Sequence, residues 1–394
     1  MLNTLSIKNI LKKNTMFIAL VALMILFHAL ISVADSGSLF APTNISNIIS
    51  QNSYVVILAT GMLLCILSGG NIDLSIGSIV ALIGALAAHL IILLHWNIYV
   101  VMILCLLAGT AIGAWHGFWI AYIRIPAFIV TLAGMLLWRG VALIILNGLT
   151  LSPFPENYLR YFTGFIPITK DKGLIFSVTV GTAILCCLIF IAKEIVQRIQ
   201  KKQKAYSTES FGIFLIRIIL IPAIVLFLAT LLGRHKGIPV ILILLTVVVL
   251  VYTYITQNTV PGRYLYAMGG NERAAKLSGI DTNKALFFVY VNMGFLSALA
   301  ALVCVGRFNS AAPTAGMNYE LDAIGSCFIG GASAYGGTGT VGGAVVGAIF
   351  MGVLNNGMSI LGIDSNWQKA VKGLVLLAAV AFDVLSKRRE KSSV

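Results

Sequence analysis

Charge is scarce in this chain. Only 10% of its 394 residues are Asp, Glu, Lys or Arg, against about 25% in soluble domains. That deficit excludes a water-soluble fold, whose helices need polar outer faces. Catalytic equipment is missing as well. There is no phosphate-cradling loop ending in Lys-Ser or Lys-Thr, and no Ser/His/Asp arrangement is suggested. The five histidines, His28, His89, His95, His116 and His235, are far apart and read as packing or interfacial residues. Cys65, Cys105, Cys186, Cys187, Cys304 and Cys327 sit inside apolar runs at no metal-ligand spacing, and read as small packing residues. No enzyme activity, metal or cofactor is expected. No small-residue cleavage site follows the first apolar run, which reads as a retained anchor helix.

What the chain has is apolar length. Hydrophobic residues make up 59%, and the mean hydropathy is +0.97. Apolar runs of roughly 20 residues, enough to cross about 30 Å of hydrocarbon, recur from end to end. They are continuous rather than alternating, which selects helices over a barrel. The fold class is therefore all-α, a polytopic bundle of about 10–12 transmembrane helices with Gly-rich broken helices, in a single domain over 1–394. Spans are placed at 16–34, 54–68, 73–94, 98–122, 126–147, 174–192, 213–232, 238–256, 285–305, 321–334, 341–361 and 371–385. The two short ones, 54–68 and 321–334, read as broken or re-entrant. Trp115, Trp119, Trp138 and Trp367 read as interface markers.

The net charge of +14 is unevenly placed. With twelve spans, 17 of the 27 basic residues fall on the side of the termini, among them Lys8, Lys12, Lys13, Arg124, Lys201 and Arg273. By the positive-inside rule both ends are cytoplasmic. The basic excess is then a topology signal, and no nucleic-acid partner is expected.

Two long segments face the cytoplasm in this reading. Residues 193–212 form a basic loop. Residues 257–284 carry more pattern. Gly270 closes a break, and Asn271 can cap a helix whose first turn holds Glu272. Ala274 and Ala275 offer a small face that another protein could approach. Gly279 can end the helix in the left-handed conformation, and Asp281 can cap the next span. Gly-rich breaks at 68–84 and 330–347 echo one another faintly.

Polar groups near the breaks are candidate pathway residues: Asn71, Asp73, Ser75 and Ser78 beside Gly70 and Gly77, then Asp322 and Ser326. These side chains offer donors and acceptors, and small residues let helices approach closely. Asp73 also fits a helix N-cap, and Ser326, Ser333, Thr338 and Thr340 also fit helix packing. Ionisable groups inside the spans are few, which argues against ion coupling within this chain.

Residues 269–280, GGNERAAKLSGI, resemble the coupling loop of monosaccharide ABC importer permeases. Ala274, Ala275 and Gly279 match the general importer spacing, while Arg273 stands at the usual Glu position and Glu272 lies one place earlier. NIDLSIGS (71–78), RIPAFIVTLAGM (124–135) and the segments 320–344 and 355–384 resemble the ribose/xylose/galactoside branch. SPFPENY (152–158) and the extra pair of spans near 174–232 resemble the longer xylose and multiple-monosaccharide permeases. The resemblance implies a channel-forming permease homodimer, ABC ATPase subunits inside, and a periplasmic or lipid-anchored sugar-binding protein outside. Gly270, Asn271, Glu272, Ala274, Ala275 and Gly279 would then couple to the ATPase. A secondary sugar/proton symporter and a branched-chain amino-acid ABC permease are the alternatives.

Overall fold

In lipid an unbroken apolar run has only its own backbone to bond, so it closes into helix. The computed structural model describes residues 15–35, 37–204 and 211–392. Lys8, Lys12 and Lys13, and the middle of 193–212, lie outside the described residues. Sixteen helices are formed there: α1 Thr15–Val33, α2 Pro42–Gln51, α3 Ser53–Leu67, α4 Ile76–Ala88, α5 Ile98–Ala121, α6 Ala127–Leu146, α7 Glu156–Thr163, α8 Lys172–Gln203, α9 Phe211–Gly233, α10 Val240–Asn258, α11 Val260–Gly270, α12 Glu272–Leu277, α13 Thr282–Phe308, α14 Tyr319–Ile329, α15 Val341–Ile360 and α16 Ser365–Ser392. Counting α2–α3 together and α4 with the π turn that follows it, ten of the described segments are long and apolar enough to cross a membrane.

Three expectations are corrected. The span placed at 54–68 begins at Pro42, because α2 and α3 run on as one 26-residue crossing. The one placed at 321–334 is a helix of only 11 residues, about 16 Å long, followed by a non-helical stretch up to Thr340. The basic stretch 193–203 is not loop. It continues α8 as helix, since Lys, Glu, Gln and Arg are good helix formers.

The helix starts are local chemistry. Asn97, Asp171, Asp281 and Thr340 each accept a hydrogen bond from a first-turn amide. Outside the spans, β1 (Phe165–Ile166) pairs antiparallel with β2 (Ile238–Pro239), tying the connection before α8 to the one after α9.

Helices α3, α4 and α13 are buried along most of their length and form the centre. α5 crosses α13 closely at Gly113 and Gly294, where a Cβ on either glycine would collide with the opposing backbone. Helices α8 and α9 pack on each other and turn Leu185, Leu188, Ile216 and Ile219 outward.

Candidate functional site

The two Gly-rich breaks meet at the end of α3. The first, 68–75, separates α3 from α4. The second, 330–340, separates α14 from α15. Gly337 N–H donates to Leu67 O at 3.1 Å. Gly70 has φ +74°, and any Cβ there would strike Ala334 O, so the crossing requires glycine. Each break exposes backbone groups that helix would have satisfied, and Gly337 N–H finds its acceptor at the last residue of α3.

Next to the first break lies a cleft of about 230 Å³ lined by Ser78, Met135, Leu136, Arg139, Met317, Asn318 and Glu320. It far exceeds the ~15 Å³ needed for one water and falls below the ~300 Å³ of the smallest drug-type pockets. A small polar solute is the match in size. Arg139 donates to Pro313 O at 3.1 Å and also to Ala315 O, pinning the loop before α14 against α6. Ser78 Oγ is buried and has no hydrogen-bond partner among the described residues. Leu136 is 69% exposed and Met317 55%. The cleft therefore opens on the outer face of this chain.

Asn71, Asp73 and Ser75 do not line that cleft. Asn71 Nδ2 reaches Ser68 O and Oγ at 3.4 and 3.3 Å. Asp73 Oδ1 accepts from Ser75 N–H at 2.9 Å and from Ser75 Oγ–H at 2.6 Å, closing the turn that starts α4. A chain of polar contacts continues from there. Trp138 Nε1 can only donate, and it gives its proton to His116 Nε2 at 3.1 Å. His116 Nδ1 then carries the ring proton and faces Ser75 Oγ at 3.4 Å. Four side chains from the break, α5 and α6 are joined within the bundle. Gly134 makes room for that ring.

Asp322 and Ser326 sit elsewhere on α14. Asp322 is buried, 2.9 Å from Lys372 Nζ on α16, and accepts from Tyr54 Oη at 3.2 Å. Ser326 Oγ donates to Asp322 O at 2.6 Å. The bonds of Asp322 hold α14 to its neighbours, that of Ser326 stays within α14, and of the six pathway candidates only Ser78 lines the cleft.

The segment 257–284 folds as two helices. Asn271 Oδ1 accepts from Ala274 N–H at 3.0 Å and caps α12. Gly279 N–H donates to Lys276 O and Ile280 N–H to Ala275 O, both at 3.1 Å, with Gly279 at φ +85°. This is the paired C-terminal closure that a left-handed glycine permits. Asp281 caps α13 through Lys284 N–H at 3.0 Å, and that bond draws its carboxyl below the usual range. At Gly269 the end of α11 rests directly on Leu67 and Gly337, so this segment touches both breaks. Tyr266 Oη adds a bond to Gly339 O at 2.8 Å. Gly270 is exposed with open space around it. Ala274 is exposed, whereas Ala275 is buried against the chain itself and offers no face to a partner.

Several residues of the site escaped sequence reasoning. The sequence pattern marks His116 only as a packing or interfacial residue, and Trp115, Trp119 and Trp138 as interface markers. All four form one aromatic cluster between α5 and α6. The available signal was a histidine and an arginine, His116 and Arg139, deep inside apolar runs, where polar side chains face the bundle or a cavity.

A multi-pass bundle in which two broken spans meet has the build of a membrane transport protein. The chain belongs to the family described as the permease component of the branched-chain amino acid transport system, whose family model matches residues 44–380. It is 37% identical over 381 residues to the xylose transport system permease protein XylH of Escherichia coli (strain K12), covering 95% of this chain and 92% of that one. It is 37% identical to XylH of Haemophilus influenzae, covering 95% and 97%. To the ribose import permease protein RbsC of Escherichia coli (strain K12) it is 38% identical, covering 93% and 92%. These relatives are transport permeases. No solved structure matches the chain.

Proposed function

We propose that this chain is the membrane-spanning permease subunit of a bacterial ATP-binding-cassette importer that moves a monosaccharide, xylose-type or several aldoses, across the cytoplasmic membrane. The observation that carries this is end-to-end likeness to xylose and ribose permeases. A cleft of about 230 Å³ at Ser78 has room for a small solute. In this reading both termini are cytoplasmic, and α12 docks an ABC ATPase subunit in which ATP is hydrolysed. A periplasmic or lipid-anchored binding protein delivers sugar from outside. Two copies of the chain form the channel, and the outward-opening cleft suits a pathway that a second copy completes. Binding-protein docking and ATPase closure shift the balance between inward- and outward-facing states.

One observation favours a second substrate class. Arg139 and Glu320 line the same cleft, and such a pair could face the carboxylate and ammonium of an amino acid. Arg139 is already engaged by two carbonyl oxygens, which favours the sugar. The test is purification with co-expressed partners, then ATPase assays of the reconstituted complex with xylose, ribose, galactose and leucine. Stimulation by an aldose together with its binding protein is expected. Stimulation by leucine alone would move the chain to the amino-acid branch. Uptake by the chain without any ATPase, driven by a proton gradient, would make it a symporter.

A further inference from the structure

The coupling helix α12 divides its side chains between the chain itself and the outside in a way its sequence pattern conceals. Glu272 is one place away from the usual acidic position, and it is already occupied. Arg124, in the short turn between α5 and α6, reaches Glu272 Oε1 at 2.7 Å. The same guanidinium bonds Thr282 Oγ1 at 3.1 Å and also Asn283 Oδ1 at the start of α13. Arg124 itself has φ +65°, a left-handed conformation that non-glycine residues adopt mainly where the surroundings hold them there. An exposed ion pair is weak alone. One planar guanidinium gripping three acceptors on two helices is a geometric clamp.

With Glu272 engaged and Ala275 buried, the outward face of α12 is Arg273, Ala274, Lys276 and Leu277. Leu277 is 90% exposed, more than any other large apolar side chain among the described residues. It lies in a polar connection rather than on a lipid-facing span. A single bare leucine beside two cations is too little apolar surface for a helix lying in a lipid interface, which shows a broad apolar face. It fits a protein pocket.

We propose, resting on the importer reading above, that Leu277 is the anchor by which the permease plugs into its ATPase subunit. It would enter an apolar pocket whose rim is acidic and receives Arg273 and Lys276. Arg124 is a positioning residue that holds Glu272 in cis, so that α12 presents this face and moves together with α5 and α6. The usual acidic contact to the partner is thereby replaced by a basic one.

The test is co-purification of the ATPase subunit, co-expressed with tagged full-length permease, at low and high salt. If the parental permease recovers no ATPase, the importer reading falls and this proposal with it. If it does, Leu277→Asp should recover about tenfold less or worse, as loss of an interface anchor gives, while Leu277→Met retains most of the binding. Arg273→Glu with Lys276→Glu should weaken recovery most at low salt, where unscreened charges count. Equal recovery by Leu277→Asp and the parental chain would overturn the proposal. So would a loss in Glu272→Ala that Arg124→Ala does not share, because Glu272 would then touch the partner. The cis clamp predicts that Arg124→Ala, Glu272→Ala and the double variant lose similar amounts. It also predicts that each hydrolyses more ATP per sugar moved while membrane levels stay normal, a ratio that simple misfolding would not change.

Discussion

The centre of the bundle and the membrane-crossing part of the α8–α9 hairpin are both rich in apolar residues, yet they pack differently. At the centre, Gly70, Gly113 and Gly294 touch opposing backbone, and Asp73, Ser75, His116 and Trp138 bond one another. In the hairpin, Gly181 and Gly212 have open space around them and Cys186 is exposed, and the two helices touch through Gly233 against Phe176 and the Glu194–Arg217 ion pair at 3.4 Å. Lipid tails are as apolar as leucine, so hydrophobicity does not drive helix against helix in a membrane. Close approach and hydrogen bonding do. The two regions should therefore respond to substitution very differently, although their compositions look alike.

The largest effect is expected at Gly70. A side chain there meets both a left-handed backbone and Ala334 O. Strain and overpacking together should cost about 3 kcal/mol or more. Gly70→Val is expected to abolish uptake and to lower the melting temperature in detergent sharply. Normal melting would mean the two breaks are not in contact.

That contact also marks the limit of what the sequence makes legible. The caps at Asn271 and Asp281 and the closure at Gly279 are readable because donor and acceptor lie within a few residues. Glycine at 70 is visible as a break, but nothing local names its partner at 334. The same holds for Ser75 with His116, 41 positions apart, and for Arg124 with Glu272, 148 apart. Span lengths fail where a break is silent. Asn52 and Ser53 read as a polar start, yet α2 carries on through them because Asn52 is buried and bonds Ala348 O.

A second break in the comparison tests charge. Lys372→Ala leaves Asp322 buried without its cation, which typically costs about 3 kcal/mol. Replacing both, Lys372→Ala with Asp322→Ala, should return part of that loss. Melting of the two variants in parallel gives the answer. If the double is as unstable as the single, the Asp322–Lys372 pair is not what stabilises that side of α14.

A smaller effect should separate two roles for Asp73. Its Oδ1 closes the turn before α4 and anchors the chain to His116. Asp73→Asn keeps an acceptor, and should retain most uptake at normal expression. Asp73→Ala removes it and should cost about 1 kcal/mol per lost bond, with impaired uptake. If Asn is as damaging as Ala, the negative charge itself is required, and Asp73 acts in the pathway rather than in the turn.

The smallest effect is expected in the hairpin, and it sharpens the comparison most cheaply. Gly181 lies inside α8, where a Cβ would meet nothing within 4 Å. Glycine in a helix interior is worse than alanine by up to about 1 kcal/mol in water, because it has more backbone freedom to lose. Gly181→Ala should therefore leave uptake unchanged and melting equal or slightly higher. That outcome follows where lipid alone covers this face. Small residues in a span are where a second helix can seat itself. If Gly181→Ala lowered uptake, or loosened the association of two permease copies, α8 would be a contact surface. The division between a packed centre and a free rim would then have to be redrawn with the hairpin inside it.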